Sequence, residues 1–327
     1  MPQLTMVEAL NLALDESLGA DPSVVLLGQD IGVNGGVFRV TKGLQEKYGR
    51  RRVMDTPLAE CAIVGTAVGM AINGLRPVAE IQFSGFTMQA FDQIEQNMAR
   101  FRNRTRGKYP VRMVMRAPYG GGIRAVEHHS ESREAYWAHT PGLQVVIPSS
   151  PRNARALLAS AIESNDPVIF YEPKLVYRAF REEVPLEPER LPIGQAQVVT
   201  EGTDVTLISY GAMMRRTREA ADDLRDEHGV SVDLIDLLSV APLDTQTIAR
   251  SVQRTGRCVI VHEGPRRCGI AAEIIARLNE TVFEYLLAPI RRVTGFDVHF
   301  PYFQTEEHYL PDPESIVVAV KETLAWA

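Results

Sequence analysis

Residues 55–86, DTPLAECAIVGTAVGMAINGLRPVAEIQFSGF, place a helix pattern directly before a strand pattern. Small and aliphatic residues recur at helical spacing over 59–73, and Pro57 stands where helices often begin. The stretch 77–82, PVAEIQ, follows after a short glycine-containing turn and predicts a strand. One carboxylate, Glu60, falls in the first turn of the otherwise apolar helix.

Two interpretations of Glu60 stay open from these residues alone. A carboxylate in a first turn stabilises a helix through its unpaired N–H groups and its dipole. The glycines Gly65, Gly69 and Gly74 would also let a ligand or another backbone approach this helix closely. In that case Glu60 is a buried functional acid.

Length and composition limit the class of protein. A chain of 327 residues is long enough for two domains. The 35 basic and 41 acidic residues give a net charge of -6, which argues against nucleic-acid binding. The three cysteines suggest neither a disulfide framework nor a zinc site, and no apolar run is long enough to cross a membrane. We therefore expect a cytoplasmic protein without a membrane anchor.

Helix and strand patterns alternate along most of the chain. Helices are predicted at 5–18, 59–73, 87–104, 131–138, 151–164, 212–227, 244–254 and 269–280, and strands at 24–28, 77–82, 111–117, 144–147, 167–171, 204–210, 231–236 and 257–262. Such alternation predicts α/β, doubly wound parallel sheets with helices on both faces. A charged, proline-containing stretch interrupts the pattern, so we predict domains at 1–178 and 194–327 joined by a linker at 179–193.

Three glycines, Gly120, Gly121 and Gly122, follow a predicted strand. Neither the dinucleotide fingerprint nor the P-loop pattern is present, so a loop hinge is favoured over a phosphate site.

Two adjacent histidines, His128 and His129, lie after the glycines and before a predicted helix. A metal site is disfavoured, because neighbouring side chains point apart and no third ligand stands at ordinary spacing. A surface histidine at a helix cap is a second interpretation. A catalytic acid or base is favoured, since histidine titrates near neutral pH.

An aromatic cluster that includes Phe83 and Phe86 follows the strand at 77–82. Such a cluster is most often core, although a flat heterocyclic ligand would use the same rings.

Taken together, the motifs resemble the beta subunit of the thiamine-diphosphate-dependent decarboxylating component of 2-oxo acid dehydrogenase complexes. The resemblance rests on the order and spacing of GQDIGVNGGVFRVTKGL (28–44), DTPLAECAIVG (55–65), GLRPVAEIQF (74–83), RAPYGGG (116–122), HSES (129–132), HTPGLQVVIPSSP (139–151), DPVIFYEPKLVYR (166–178), GRCVIVHE (256–263) and RVTGFD (292–297). It implies a pyrimidine-binding domain followed by a smaller transketolase C-terminal-type domain.

The resemblance also implies roles for residues. Glu60 matches the family's glutamate that hydrogen-bonds the aminopyrimidine of thiamine diphosphate and favours its imino tautomer. His129 matches the family's catalytic histidine, a proton donor or acceptor toward substrate or lipoyl group. The residues matched to cofactor contacts are Leu58, Ala59, Glu60, Gln82, Phe86 and Gln89, and those matched to substrate contacts are Phe83, Phe86 and His129.

The family's Gly-Asp-Gly motif, which holds the diphosphate and Mg²⁺, does not occur in this sequence. The resemblance therefore implies that a separate alpha subunit supplies that half of the site, in an assembly of two alpha and two beta chains. A lipoyl-bearing acyltransferase core is the implied acceptor. Backbone carbonyls at Ala161 and Ile162 match a potassium site of the family.

The resemblance leaves the substrate open among 2-oxo acids. Many relatives differ at Gln29, at Ser84-Gly85-Phe86 and over 130–134. A branched-chain 2-oxo acid is expected ahead of pyruvate. The alternatives are the beta subunit of acetoin dehydrogenase and a non-catalytic scaffold of the same fold.

Overall fold

The fold was analysed in a computed structural model that describes residues 1–326. Its strands are β1 (Gln3–Leu4), β2 (Val24–Gly28), β3 (Val53–Asp55), β4 (Arg76–Glu80), β5 (Val114–Tyr119), β6 (Gln144–Val146), β7 (Val168–Pro173), β8 (Glu182–Glu183), β9 (Gln197–Thr200), β10 (Val205–Ser209), β11 (Val232–Asp236), β12 (Ser239–Ala241), β13 (Cys258–Pro265) and β14 (Arg291–Gly295). Its α-helices are α1 (Met6–Ala20), α2 (Leu44–Tyr48), α3 (Glu60–Ile72), α4 (Phe101–Arg104), α5 (Glu134–Ala138), α6 (Pro151–Glu163), α7 (Met213–His228), α8 (Thr245–Thr255), α9 (Ile270–Val282), α10 (Glu306–Tyr309) and α11 (Pro313–Leu324).

The N-terminal half supplies six strands of a seven-stranded sheet in the order β12-β6-β7-β5-β4-β2-β3, and β12 comes from the C-terminal half. All neighbours pair in parallel except β12 with β6. The central strands are buried along their whole length, as expected for a parallel sheet covered on both faces. The α/β class predicted from the alternating pattern is confirmed.

The C-terminal half forms a five-stranded sheet in the order β14-β13-β10-β11-β9, with β9 antiparallel to β11. Strand β12 leaves this half and pairs with β6 of the first sheet, with Ser239 opposite Val146. A strand of the C-terminal half therefore forms the edge of the first sheet. Sequence patterning predicted none of β9, β12 and β14.

Helix boundaries follow local capping signals. Thr5 and Glu8 form a reciprocal capping box at the start of α1, and Ser150 with Pro151 begins α6. The predicted segments 59–73 and 77–82 are present as α3 and β4. Helices α1 and α6 pack together over one face of the first sheet.

The single helix predicted at 87–104 is wrong. Residues 84–90 form a 3₁₀ helix, 93–98 form a π-helical turn, and the α-helical residues are 91–92 and Phe101–Arg104. The wider turn places Ile94 and Met98 together in the core. A helical hydrophobic pattern over so few turns cannot distinguish these variants, because the 3₁₀ and α-helical repeats, about 3.0 and about 3.6 residues per turn, differ by less than one residue.

Two further features concern the chain between residues 1 and 326. No helix in that range has the length and apolar character needed to cross a membrane. All three cysteines are free, with Cys61 and Cys268 exposed and Cys258 buried.

Candidate active site

The carboxyl ends of β2, β4, β5 and β7 lie at one edge of the first sheet, because these strands are parallel neighbours. The segments that follow the strands at this edge carry Glu60, Phe86 and His129. Ligands of open parallel sheets bind at this edge. The fold thus gathers residues that are far apart in sequence.

Glu60 is the first residue of α3 and is half-buried. The preceding Ala59 provides no side-chain cap. Among residues 1–326, no donor forms a hydrogen bond or ion pair with the Glu60 carboxylate. Leu58, just before the helix, is 69% exposed. A free carboxylate beside an exposed leucine is suited to a ring that carries an N–H group and apolar faces.

The 3₁₀ helix at 84–90 packs against α3. It holds Phe86 half-buried, whereas Gln89 is exposed. Gln82, just before it, donates from Nε2 to the Asp30 carboxylate at 3.1 Å. That bond ties the segment after β4 to the loop after β2.

His129 lies in an aromatic pocket. Its ring meets Phe83 edge-on, with centroids 4.3 Å apart, and Phe86 at 5.2 Å. Its Nδ1 atom is buried without a hydrogen-bond partner in the described chain. Burial first, then the charges of His128 and Lys174, lowers the pKa of His129. The imidazole is therefore neutral at pH 7 and can accept a proton.

His128 points another way, as expected for an adjacent residue. Its ring lies 5.0 Å from Phe86, its side chain is 44% exposed, and its Nδ1 is 3.2 Å from Oε2 of Glu131. The two histidines thus contact Phe86 from different directions. No group of three or more His, Cys, Asp or Glu side chains within residues 1–326 has metal-binding geometry.

The glycine loop contacts carboxylates of the C-terminal half. Gly121 N–H donates to Glu263 at 2.8 Å, and Gly122 N–H donates to Glu306. These N–H groups are therefore already used, and the negative charges beside them disfavour a phosphate. The glycine loop thus forms a contact between the two halves of the chain, and its role as a hinge stays a prediction.

Lys174 was not predicted as part of the site. It is only 3% exposed, its Nζ lacks a hydrogen-bond partner within the described residues, and it lies over the face of Phe83 at 5.7 Å. Burial lowers its pKa to about 7, opposed by the carboxylates of Glu263 and Glu306. No local signal could have found it, because these partners come from the other half of the chain.

A second unpredicted feature is a buried ion cluster at the same sheet edge. Arg116 donates to Glu172 from Nε and Nη2, both at 2.7 Å, and to Glu80 from Nη1. The hydroxyl of Tyr177 donates to Glu172 at 2.5 Å. Burial raises the pKa of Glu80, opposed by Arg116. The cluster fixes β4, β5 and β7 relative to one another below the aromatic pocket.

Ala161 and Ile162 lie at the opposite edge of the sheet, in the last turn of α6. The Ile162 carbonyl accepts from Arg76 at 2.8 Å, and the Ala161 carbonyl accepts from Ser164 N–H at 3.2 Å. Each carbonyl oxygen keeps a second lone pair. A cation held there would be remote from His129.

The chain matches two family models. Residues 2–179 match "Transketolase, pyrimidine binding domain" and residues 194–316 match "Transketolase, C-terminal domain".

Two curated relatives match over nearly their whole lengths. The "Pyruvate dehydrogenase E1 component subunit beta" of Acholeplasma laidlawii is 48% identical over 98% of each chain. The protein of the same name from Staphylococcus epidermidis is 48% identical over 99% of each chain.

Solved structures agree on the fold. A chain titled "Split gene transketolase, inactive beta4 tetramer" matches with a TM-score of 0.79, 24% identity and 99% coverage of both chains. Transketolase from Leishmania mexicana matches with a TM-score of 0.72 and 15% identity, over 99% of this chain and 46% of that one. At these identities the likeness concerns the fold alone. The two family models and the full-length relatives show that the chain belongs to the family of beta subunits of the thiamine-diphosphate-dependent decarboxylating component of 2-oxo acid dehydrogenase complexes.

Proposed function

We propose that this chain is the beta subunit of a decarboxylating component that acts on pyruvate and passes the acyl group to a lipoyl-bearing acyltransferase. The substrate follows from relatives named pyruvate dehydrogenase at 47–48% identity. The expected preference for branched-chain 2-oxo acids lacks such support and is withdrawn. The observation that carries the proposal is the unpartnered Glu60 carboxylate at the sheet edge that also holds His129.

The residues present fit the pyrimidine half of thiamine diphosphate. The Glu60 carboxylate is free to accept an N–H hydrogen bond from the ring, while Leu58 and Phe86 offer apolar surface. Ala59, Gln82 and Gln89 remain proposed neighbours of the cofactor. When bound, thiamine diphosphate supplies the carbon nucleophile and accepts the electrons released on decarboxylation.

His129 is proposed to transfer a proton to or from the substrate or the lipoyl group. Its neutral imidazole, set between Phe83 and Phe86, accepts or donates a proton at the reacting keto oxygen or at a lipoyl sulfur. The phenylalanine rings exclude water and help to bind the substrate, which strengthens electrostatic interactions within the site.

An alpha subunit is proposed to complete the site. The chain lacks Gly-Asp-Gly, so the diphosphate and Mg²⁺ are assigned to that partner, in an assembly of two alpha and two beta chains. The strongly exposed Leu58 is a proposed contact for that missing half. The free cysteines agree with a reducing, cytoplasmic location.

A potassium ion at Ala161 and Ile162 is a separate proposal. It predicts that KCl raises the melting temperature of the chain above that in NaCl at equal ionic strength. Equal melting temperatures in the two salts would contradict it.

The deciding experiment reconstitutes the chain with its alpha partner, thiamine diphosphate and Mg²⁺. Pyruvate, a branched-chain 2-oxo acid and acetoin are compared, with an artificial electron acceptor as readout. We expect pyruvate to give the highest kcat/KM. A preference for acetoin or for a branched-chain acid would overturn the substrate assignment, and turnover by alpha alone would favour the scaffold.

Two variants test Glu60. Glu60→Ala should lower turnover by about a hundredfold or more, because the lost hydrogen bond acts on the reacting cofactor. Glu314→Ala removes a first-turn carboxylate from another helix, α11, where the side chain is exposed, and should leave turnover unchanged. Equal turnover by both variants would reject the role of Glu60.

A further inference from the structure

Glu131 connects three loops at the edge that carries the proposed site. Its backbone carbonyl accepts from Ser84 Oγ at 2.6 Å, in the turn after β4. The same carbonyl accepts from Gly120 N–H at 3.3 Å, in the glycine loop after β5. Glu131 itself belongs to the segment that carries His129.

The Glu131 side chain forms a second set of contacts. Its carboxylate accepts two hydrogen bonds from Arg133, one of them from Nε at 3.1 Å, and lies 3.2 Å from Nδ1 of His128. Arg133 is held in turn over the ring of Tyr136 at 5.2 Å. Glu131 and Arg133 are only 20% and 22% exposed, so solvent screens this pair less than a surface pair.

Gly85 provides the room for this arrangement. A Cβ atom at Gly85 would lie 2.4 Å from the His128 carbonyl oxygen and 2.5 Å from Oε2 of Glu131. Any side chain at residue 85 would therefore displace either the carboxylate or the histidine backbone. The glycine allows close approach and needs no unusual backbone angle.

The network borders a cavity of about 1540 Å³ between the two halves of the chain. Glu131, Arg133 and His128 line it, together with residues of the C-terminal half such as Arg267 and His299. On its other side the network contacts Phe86 through His128. It thus lies between the cavity and the aromatic pocket of His129.

We propose that Glu131 is a positioning residue for His128 and His129. By fixing His128 and the adjacent backbone, it sets the His129 ring against Phe83 and Phe86. Gly85 and Arg133 serve the same arrangement, one by leaving space and the other by anchoring the carboxylate. This inference rests on the proposed function of His129.

Glu131→Gln tests the proposal with almost no change in volume. It weakens the contacts to Arg133 and His128. In the reconstituted complex we expect kcat to fall by at least about tenfold, because small displacements of catalytic groups are costly. Thiamine diphosphate affinity and the melting temperature should change little, which separates positioning from loss of structure.

Glu95→Gln is the matched control. Glu95 lines the same cavity, pairs with Arg100 and is also mostly buried, but it makes no contact with either histidine. Its kcat should equal that of the wild type. An unchanged kcat for Glu131→Gln, or equal losses in the two variants, would overturn the proposal.

A second readout needs no activity. Imidazole Cε1–H signals of the chain alone, assigned with His128→Gln and His129→Gln, should both shift in Glu131→Gln and in Gly85→Ala but not in Glu95→Gln. Unmoved signals in Glu131→Gln would reject the positioning role. Wild-type activity that survives in His129→Ala would instead reject the proposed function, so the two failures are distinguishable.

Discussion

The ammonium group of Lys174 lies over the face of Phe83, 5.7 Å from the ring centroid, and the ring of Phe83 packs edge-on against His129. A buried cation thus contacts the back of the aromatic pocket. The carboxylates that favour its positive charge, Glu263 and Glu306, belong to the C-terminal half. Docking of the two halves and the environment of His129 are therefore physically linked.

Lys174 and Glu263 should be coupled in stability. Burial raises the pKa of Glu263 to about 7 and lowers that of Lys174 to about 7, so each charge depends on the other. We expect Lys174→Met and Glu263→Gln each to lower the free energy of unfolding, and the double variant to lose less than the sum of the two. Urea unfolding measures the cycle, and additive losses would contradict the coupling.

His129 should titrate below its ordinary value of 6.5. Burial disfavours the imidazolium, and the charges of His128 and Lys174 add repulsion. A histidine Cε1–H NMR titration of the chain should place its midpoint under 6.5, and Lys174→Met should raise it. Lys47→Met, which removes an exposed lysine paired with Asp15, is the control. A midpoint at or above 6.5 in the wild type would refute this prediction.

His262 should make stability depend on pH. Burial, then the charge of Arg292, lowers its pKa from 6.5 to about 4. Between these values the folded chain binds fewer protons than the unfolded chain, so the stability contribution is complete above 6.5 and decreases as pH falls toward 4. At about pH 5 the loss is about 2 kcal/mol relative to neutral pH.

His262→Phe removes this titration and keeps a ring beside Tyr210. Urea unfolding of both proteins at about pH 5 and about pH 7.5 should show a smaller pH effect in the variant, by about 2 kcal/mol. The same pH effect in both proteins would show that His262 is protonated equally in the folded and unfolded chains.

Gly121 should tolerate no side chain. An alanine Cβ there would lie 2.2 Å from Cζ of Phe300, at the contact between the two halves. We expect Gly121→Ala to lower the free energy of unfolding by about 2 kcal/mol. Phe300→Leu, which lacks that atom, should recover part of the loss in the double variant.

Gly69→Ala is the opposite-sign control for Gly121→Ala. Gly69 lies inside α3 with no atom within 4 Å of its Cβ position, so alanine should stabilise the chain by up to about 1 kcal/mol. The melting temperature should fall in Gly121→Ala and rise in Gly69→Ala. A neutral Gly121→Ala would mean that the Phe300 contact is dispensable.

Much of the fold follows from local patterns in the sequence. Helices such as α1 and α6 carry their apolar periodicity within their own segments, their capping residues Thr5 and Ser150 stand directly before them, and β2 is an apolar run that ends at Gly28. Glu60 and His129 could be singled out from the sequence because each places a titratable side chain at or just before the start of a predicted helix. The break in the helix over 84–104 could not be predicted from the sequence, because 3₁₀, α and π turns differ mainly in the spacing of their backbone hydrogen bonds.

Other features were decided by contacts between distant segments. β12 is a strand because β6 is available to pair with it, and three residues carry no strand pattern of their own. The environments of Lys174 and Glu263 depend on the docking of two halves, and the carboxylate of Glu131 fits only because Gly85 leaves space.

The sequence by itself determined the order of elements, the α/β class and the chemical candidates, since backbone propensity and hydrophobic periodicity are local. Only the tertiary structure decided which charges are buried together and which rings surround His129. Electrostatic and packing energies depend on distances between residues far apart in sequence, such as Gly121 and Glu263, and those residues come close only once the chain is folded.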